Sequence, residues 1–287
     1  TNTNLTAYAT TSDGDGDPVK NIFNWKINGV PIAVLNMPFE GINGTAGNNT
    51  WDYSGYGNNG SENGGIVWNA TGGYDGKGAY QFDGSNDKIV VADSPSFNIW
   101  NNFTISFWTK FVKPSNSWFY FLLQGDYATA SDVKLYFDTR ASQNNPGLRF
   151  NLLSADNIVQ GTNGADGWTN NQWYHVALTR KGTNWTMYRN GVVLLGSTSS
   201  EAKGDVAYPL TIGGGYTTGY HVNGVMDDLI LFNKSLSPEQ INALFNNRTD
   251  LIDAQETTLR ENWSVEITPN DGFQDGATMS SNGVLIR

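Results

Sequence analysis

The 287-residue sequence contains no cysteine. That excludes a disulfide framework and any thiolate metal site. Histidine is nearly absent as well, at His175 and His221, which leaves little material for a zinc centre or a histidine-based triad. Charged residues are only 15% of the chain and the formal net charge is −10. An acidic balance of this kind argues against nucleic acid as a partner, because phosphates demand a basic face. No run approaches the ~18 apolar residues of a membrane-spanning helix. Helix signals are scarce too, and only one short segment carries convincing ones.

What fills the chain is turn formers and aromatics. Glycine, asparagine, serine and threonine are abundant and aromatics reach 13%, a mixture that belongs to an all-β protein rather than a disordered one. Asn-x-Ser/Thr sequons stand at Asn4, Asn43, Asn48, Asn59, Asn69, Asn102, Asn184, Asn233, Asn247 and Asn262. Chance supplies some of them in such a composition, but ten point to an exported, N-glycosylated surface protein. The chain opens on Thr1 without Met or leader, the pattern of a mature protein or of a piece excised from a longer one.

The most informative stretch is 224–245, GVMDDLILFNKSLSPEQINALF. Leu229 and Leu231 alternate with Ile230 and Phe232, so both faces of this strand are apolar and it is expected between two layers. Ser237, Pro238 and Gln240 then read as N-cap, first helical residue and capping box. Ile241, Leu244 and Phe245 form the apolar stripe of that helix.

This stretch resembles the closing strand and helix of laminin-G-like, concanavalin A-like jelly-roll domains. Further segments support the resemblance: DYSGYGNNG at 52–60, AYQFDG at 79–84, the Asp87–Val91 strand, the period-2 strand Phe103–Val112, WYHVALTR at 173–180, and a hairpin over 185–193 with Asn190-Gly191 at its tip. Together they cover 40–249. The resemblance implies a jelly-roll sandwich for that region.

The two ends read differently. LTAYAT, the loop SDGDGDP and the strand around Trp25 precede residue 40, and Asn28-Gly29 makes a hairpin turn. Residues 259–287 carry WSVEITPNDG and a final exposed strand. Both ends resemble parts of one immunoglobulin-like surface-protein repeat. The expected organisation is therefore an immunoglobulin-like β-sandwich built from 1–39 and 250–287, with the jelly roll over 40–249 inserted into one of its loops. Flanking independent domains are the alternative. Neither end holds the roughly seven strands of a sandwich, so a strand from a neighbouring repeat or another copy is expected to complete it.

Candidate chemistry follows from position. The resemblance carries a calcium site onto Asp227, Asp83 and Asp52. Asp228 adjoins Asp227, but alternation along a strand sends the two side chains to opposite faces. Asp13, Asp15 and Asp17 form a second, weaker calcium candidate in a glycine loop that lacks the glutamate and flanking helices of an EF-hand. For sugar binding, Trp118, Tyr216 and Tyr220 are candidate rim aromatics. His175 lies in a core strand and reads as structural. Some concanavalin A-like jelly rolls are glycosidases with an E-x-D-x-x-E strand, and this chain has no such run. The functional expectation is a non-catalytic extracellular module, calcium-stabilised and bound to glycans or cell-surface proteins. The alternative is a filament or spacer subunit assembled head-to-tail by strand addition.

Overall fold

The computed structural model describes residues 3–41, 50–125, 133–142, 147–152, 157–160, 167–200, 204–215 and 219–287. Two antiparallel sheets stack into a jelly-roll-like sandwich. The seven-stranded sheet runs, edge to edge, through Asn157–Gln160, Gly147–Leu152, Val133–Asp138, Trp118–Gln124, Leu210–Ile212, Lys88–Val91 and Gly60–Asn63. The eight-stranded sheet runs through Val192–Thr198, Asn184–Arg189, Trp173–Lys181, Asn102–Phe111, Asn223–Phe232, Ala79–Asp83 and Val67–Asn69, with Ala33–Met37 added against Asn223–Phe232. Their facing sides bury one aromatic-rich core that includes Phe82, Phe103, Phe107, Phe111, Phe121 and Trp185.

The strand Asn223–Phe232 lies where its pattern predicts. Leu229 and Leu231 enter the sandwich core, whereas Ile230 and Phe232 join a second apolar layer on the outer side of the eight-stranded sheet. That second layer contains the helix Pro238–Phe245, whose Ile241 and Leu244 are buried. Ser237 caps it, its Oγ accepting the Gln240 amide at 3.2 Å. The expected reciprocal half of the capping box is diverted. Gln240 instead donates to the Leu251 carbonyl and accepts from the Asp253 amide, pinning the chain that leaves the helix, and Glu256 takes the Ser237 amide.

The two chain ends do meet. Lys20–Ile27 pairs over its whole length with Asn262–Asn270, and Val30–Pro31, Met279–Ser280 and Val284–Leu285 complete a five-stranded sheet. Asn28 and Gly29, at φ 52° and 82°, form the tight turn expected of Asn-Gly. Leu5–Thr6 pairs separately with Leu251–Ile252. The end sheet packs through Trp25, Trp263, Val265 and Ile267 onto the helix and onto Tyr188 and Phe232 of the jelly roll. The strand Ala33–Met37 precedes the expected boundary at residue 39 yet hydrogen-bonds into the jelly roll.

That added strand explains the pair of aspartates. Along one edge of Asn223–Phe232, the first half pairs with Ala79–Asp83 and the second half with Ala33–Met37. At the changeover the register against Asn102–Phe111 slips between Asp227 and Ile230, and Asp228 takes φ 49°. This is a bulge. It breaks the alternation on which the opposite-face expectation for Asp227 and Asp228 rested.

Candidate functional site

The three aspartates assigned to calcium by resemblance occupy three separate environments. Asp52 is buried, with both carboxylate oxygens committed to its own loop and to the neighbouring strand Ala33–Met37. Oδ1 accepts the Asn36 and Ser54 amides at 2.9 Å each, and Oδ2 accepts the Ser54 hydroxyl at 2.7 Å and the Asn58 amide at 2.9 Å. Asp83 sits in the FDG turn opposite Asn223 and accepts the Ser85 amide, and that hydrogen bond lowers its pKa. Asp227 lies opposite Trp108, four residues further along the same strand from Asn223, a separation of roughly 13 Å. These residues do not fit a shared calcium ion.

Asp227 and Asp228 instead belong to a cluster around Lys20, the first residue of the N-terminal sheet strand. The Lys20 ammonium lies 2.7 Å from Glu40, 2.9 Å from Asp75 and 2.9 Å from Asp228. Asp227 is fully buried. Its Oδ2 accepts the Tyr74 amide at 2.8 Å, and its Oδ1 has no hydrogen-bond partner. Burial raises the pKa of Asp227, Asp228 and Glu40, and Lys20 only partly opposes it. Burial is the largest single influence on Lys20 and lowers its pKa, but the surrounding carboxylates, foremost Asp228, together outweigh it and leave the pKa raised. Each salt-bridging oxygen is spent on one ammonium, the chemistry of a clamp between the end sheet and the jelly roll. Sequence reading missed Lys20, Glu40 and Asp75 here. The signal available was an Asp-Asp pair inside an otherwise apolar strand.

The described rim aromatics come together at one edge of the sandwich. Trp118 and Tyr220 stack with centroids 3.9 Å apart and planes at 18°, and the Arg140 guanidinium lies 3.9 Å from the Trp118 ring centroid. Two groups at that distance cannot share one face, so Trp118 is sandwiched rather than presented as an open platform. Asp138 fixes Arg140 through a forked ion pair, and the Trp118 indole donates to the Tyr120 hydroxyl at 3.0 Å. Tyr220 is held at φ 73°, an unusual conformation for a bulky residue.

Beside this stack lies a cleft of about 270 Å³. Asp83, Lys113, Ser117, Trp118, Tyr220, His221 and Asn223 contribute to its walls. Asp83 thus shares a site with the rim aromatics instead of with Asp227. Lys113 and Asn223 were not singled out in the sequence, because nothing local marks them, and His221 was noted there only as one of two histidines, with no nucleophile signature beside it. Tyr216 lies outside the described residues.

The remaining candidates are dispersed. The carboxylates of Asp13, Asp15 and Asp17 offer oxygens within 4.8 Å of one another, and Asp13 accepts the amides of Asp15, Gly16 and Asp17. Hydrogen bonding from Asp15 draws the Asp13 pKa down to about 2, and Asp15 is raised in return. His175 is buried against Trp108 with Nε2 2.9 Å from the Ser106 hydroxyl, and burial depresses its pKa to about 3. Among the sequons, Asn4, Asn59, Asn69, Asn102, Asn184, Asn247 and Asn262 are exposed, and Asn233 is half-buried with its amide on the Pro31 carbonyl. Asn43 and Asn48 lie outside the described residues. No helix among the described residues is long and apolar enough to cross a membrane.

The profile of the concanavalin A-like lectin/glucanases superfamily, laminin-G type, matches residues 83–242. The chain belongs to this superfamily. The match spans the FDG turn, the rim stack, the bulge and the start of the helix. No curated protein sequence matches this superfamily member. Among solved structures, it is similar to domain 4 of AbnA, an extracellular arabinanase of Geobacillus stearothermophilus in complex with arabinotriose. The TM-score is 0.57 at 17% identity, over 77% of this chain and 98% of that one. It is also similar to the binding domain of Paraclostridial Mosquitocidal Protein 1, at TM-score 0.57 and 17% identity over 74% of this chain. The receptor-binding domain of botulinum neurotoxin D gives TM-score 0.56 and 16% identity over 76% of this chain. The chain spans about half of each toxin domain, 52% and 53%. At these identities the likeness establishes the fold.

Proposed function

We propose that this chain is a non-catalytic, extracellular carbohydrate-binding module that takes a glycan in the cleft beside Trp118 and Tyr220. The observation that carries the reading is the cleft itself. It combines an aromatic wall, held rigid by the Arg140–Trp118–Tyr220 stack, with Asp83, Ser117, His221 and Asn223 as partners for hydroxyl groups. Membership in a lectin/glucanase superfamily supports it, as does the fold shared with an arabinanase domain crystallised with arabinotriose. Extracellular placement is supported by the exposed sequons among the described residues. Within this proposal calcium serves stability, and its ligands are Asp13, Asp15 and Asp17 rather than the scattered Asp52, Asp83 and Asp227.

The test is titration with neutral and acidic oligosaccharides, arabinotriose included. Tyr220→Ala removes a rigid aromatic wall and should weaken binding by about 30-fold, the equivalent of ~2 kcal/mol. Unchanged affinity in Tyr220→Ala and in Trp118→Ala sinks the reading.

A second reading, assembly by strand addition, is favoured by a different observation. Exposed large apolar side chains gather on the end sheet and its flanks: Tyr8, Val30, Leu259, Phe273, Met279, Val284 and Leu285. A groove of about 260 Å³ runs between residues 5–8 and Trp25, Trp263 and Val265. Head-to-tail association detected by sedimentation, and lost on Val284→Lys, tests this reading.

A further inference from the structure

Resting on the strand-addition reading, and independently of the glycan cleft, we propose that two copies of this chain pair edge to edge through residues 6–8, about a twofold axis at Ala7. The five-stranded end sheet is faced by a second sheet of only two strands, Leu5–Thr6 and Leu251–Ile252. The Ala7 amide donates to the Asp250 carbonyl at 2.8 Å, continuing the register that sets Leu5 opposite Ile252 and Thr6 opposite Leu251. Main-chain groups alternate in direction along an antiparallel strand, so those of Leu5 and Ala7 face the paired side and those of Thr6 and Tyr8 face away. Neither Thr6 nor Tyr8 has a main-chain partner among the described residues. That edge is open.

It opens onto the groove of about 260 Å³ whose walls include Trp25, Trp263, Val265 and Val284. Leu5, Ala7 and Ala9 pack against that apolar layer yet stay only half-buried, as in a sheet that stops one strand early. Edge strands are ordinarily guarded by charge, above all lysine, against joining another chain. Here the run LTAYAT is uncharged, and no described residue lining the groove carries a charge, although the chain as a whole stands at −10. A second copy therefore meets no like charge along this edge. Tyr8, 90% exposed, and Val284, 49% exposed, offer it apolar surface to cover. The edge is also complementary to itself. In a twofold pair Thr6 of one copy stands opposite Tyr8 of the other and exchanges main-chain hydrogen bonds with it, while the two Ala7 residues face each other on the axis in the closer, non-hydrogen-bonded kind of pair. Such an isologous contact closes at two copies.

The experiment uses the 287-residue chain made without N-glycans, because Asn4 is a sequon residue beside the edge. Sedimentation equilibrium from micromolar to millimolar concentration should show monomer and dimer and nothing larger. Tyr8→Pro removes an amide donor that has no partner inside the protein, and the twofold makes the loss count twice. It should weaken the dimer by about tenfold or more and leave the urea midpoint of the monomer unchanged. Independently, Ala7→Cys sets two thiols on the axis at a Cα separation of about 5 Å, within disulfide geometry. The chain has no other cysteine, so every disulfide is intermolecular. Oxidation should yield covalent dimer about tenfold or more faster than in the exposed Lys181→Cys control. A dimer that survives Tyr8→Pro, or Ala7→Cys oxidising no faster than the control, overturns the twofold pairing. Association that grows past the dimer overturns it too and leaves head-to-tail strand addition standing. A chain that stays monomeric throughout overturns both.

Discussion

Replacing Lys20 by Met should be among the most damaging single changes outside the sandwich core, and more so at alkaline than at acidic pH. The side chain is 16% exposed and its ammonium serves Glu40, Asp75 and Asp228 at 2.7–2.9 Å, with Glu40 only 1% exposed. Methionine fills similar volume but leaves those carboxylates and Asp227 facing one another. Removing one partner of a buried ion pair costs about 3–5 kcal/mol. For a chain of this size that is a fall in midpoint on the order of 6–10 °C.

The pH dependence has a definite sign. Glu40, Asp227 and Asp228 have folded-state pKa values raised above their unfolded ones. The folded state therefore binds protons more tightly, and lowering the pH through those raised values stabilises it. Without Lys20 the values rise further, because a favourable charge has gone. The loss in Lys20→Met should thus be full near pH 8 and should shrink towards pH 5 as the carboxylates take up protons. In the unaltered protein the Lys20 contribution is complete below its unfolded pKa and disappears only as pH rises through its raised folded value. His175, with a depressed pKa of about 3, works in the opposite sense on acidification. It is present in both proteins and cancels in their difference. The assay is urea unfolding at both pH values, with the exposed Lys181→Met as control. A loss below ~1 kcal/mol at pH 8, or an equal loss at pH 5, would refute the argument.

Two further outcomes follow from the same geometry. Asp52→Ala strands the buried amides of Asn36, Ser54 and Asn58, whose acceptor it is, and should cost about 3–5 kcal/mol by urea unfolding, with or without calcium; a loss that calcium enlarges would restore Asp52 as an ion ligand. Calcium at ~100 times its dissociation constant should add about 2.7 kcal/mol to stability, and Asp15→Asn with Asp17→Asn should abolish the effect. A calcium response that survives those changes and disappears in Asp227→Asn would move the ion to the bulge.

The parts of this protein legible in the sequence were those encoded by local rules. Alternation announced Leu229 to Phe232, Asn-Gly pairs marked the turns at residues 28 and 190, and Ser237-Pro238 fixed the helix start. Pairing between Lys20–Ile27 and Asn262–Asn270 followed from two incomplete ends that needed each other. The site was less legible, because its groups converge from distant segments. Asp83, Lys113 and Tyr220 meet only when the FDG turn, the end of Asn102–Phe111 and the chain leading into Asn223–Phe232 are laid side by side.

The Asp227–Asp228 bulge shows why position alone misleads. The resemblance placed a cation there, and a positive charge is indeed within reach of Asp228, but it arrives on a lysine from the other end of the chain. A strand that changes partners from Ala79–Asp83 to Ala33–Met37 must slip its register, and the slip turns both carboxylates away from strict alternation. Lys20 then neutralises part of the charge and ties the end sheet to the sandwich. Separating the end sheet from the jelly roll would therefore break this cluster together with the apolar contacts of Trp25, Trp263, Val265 and Ile267.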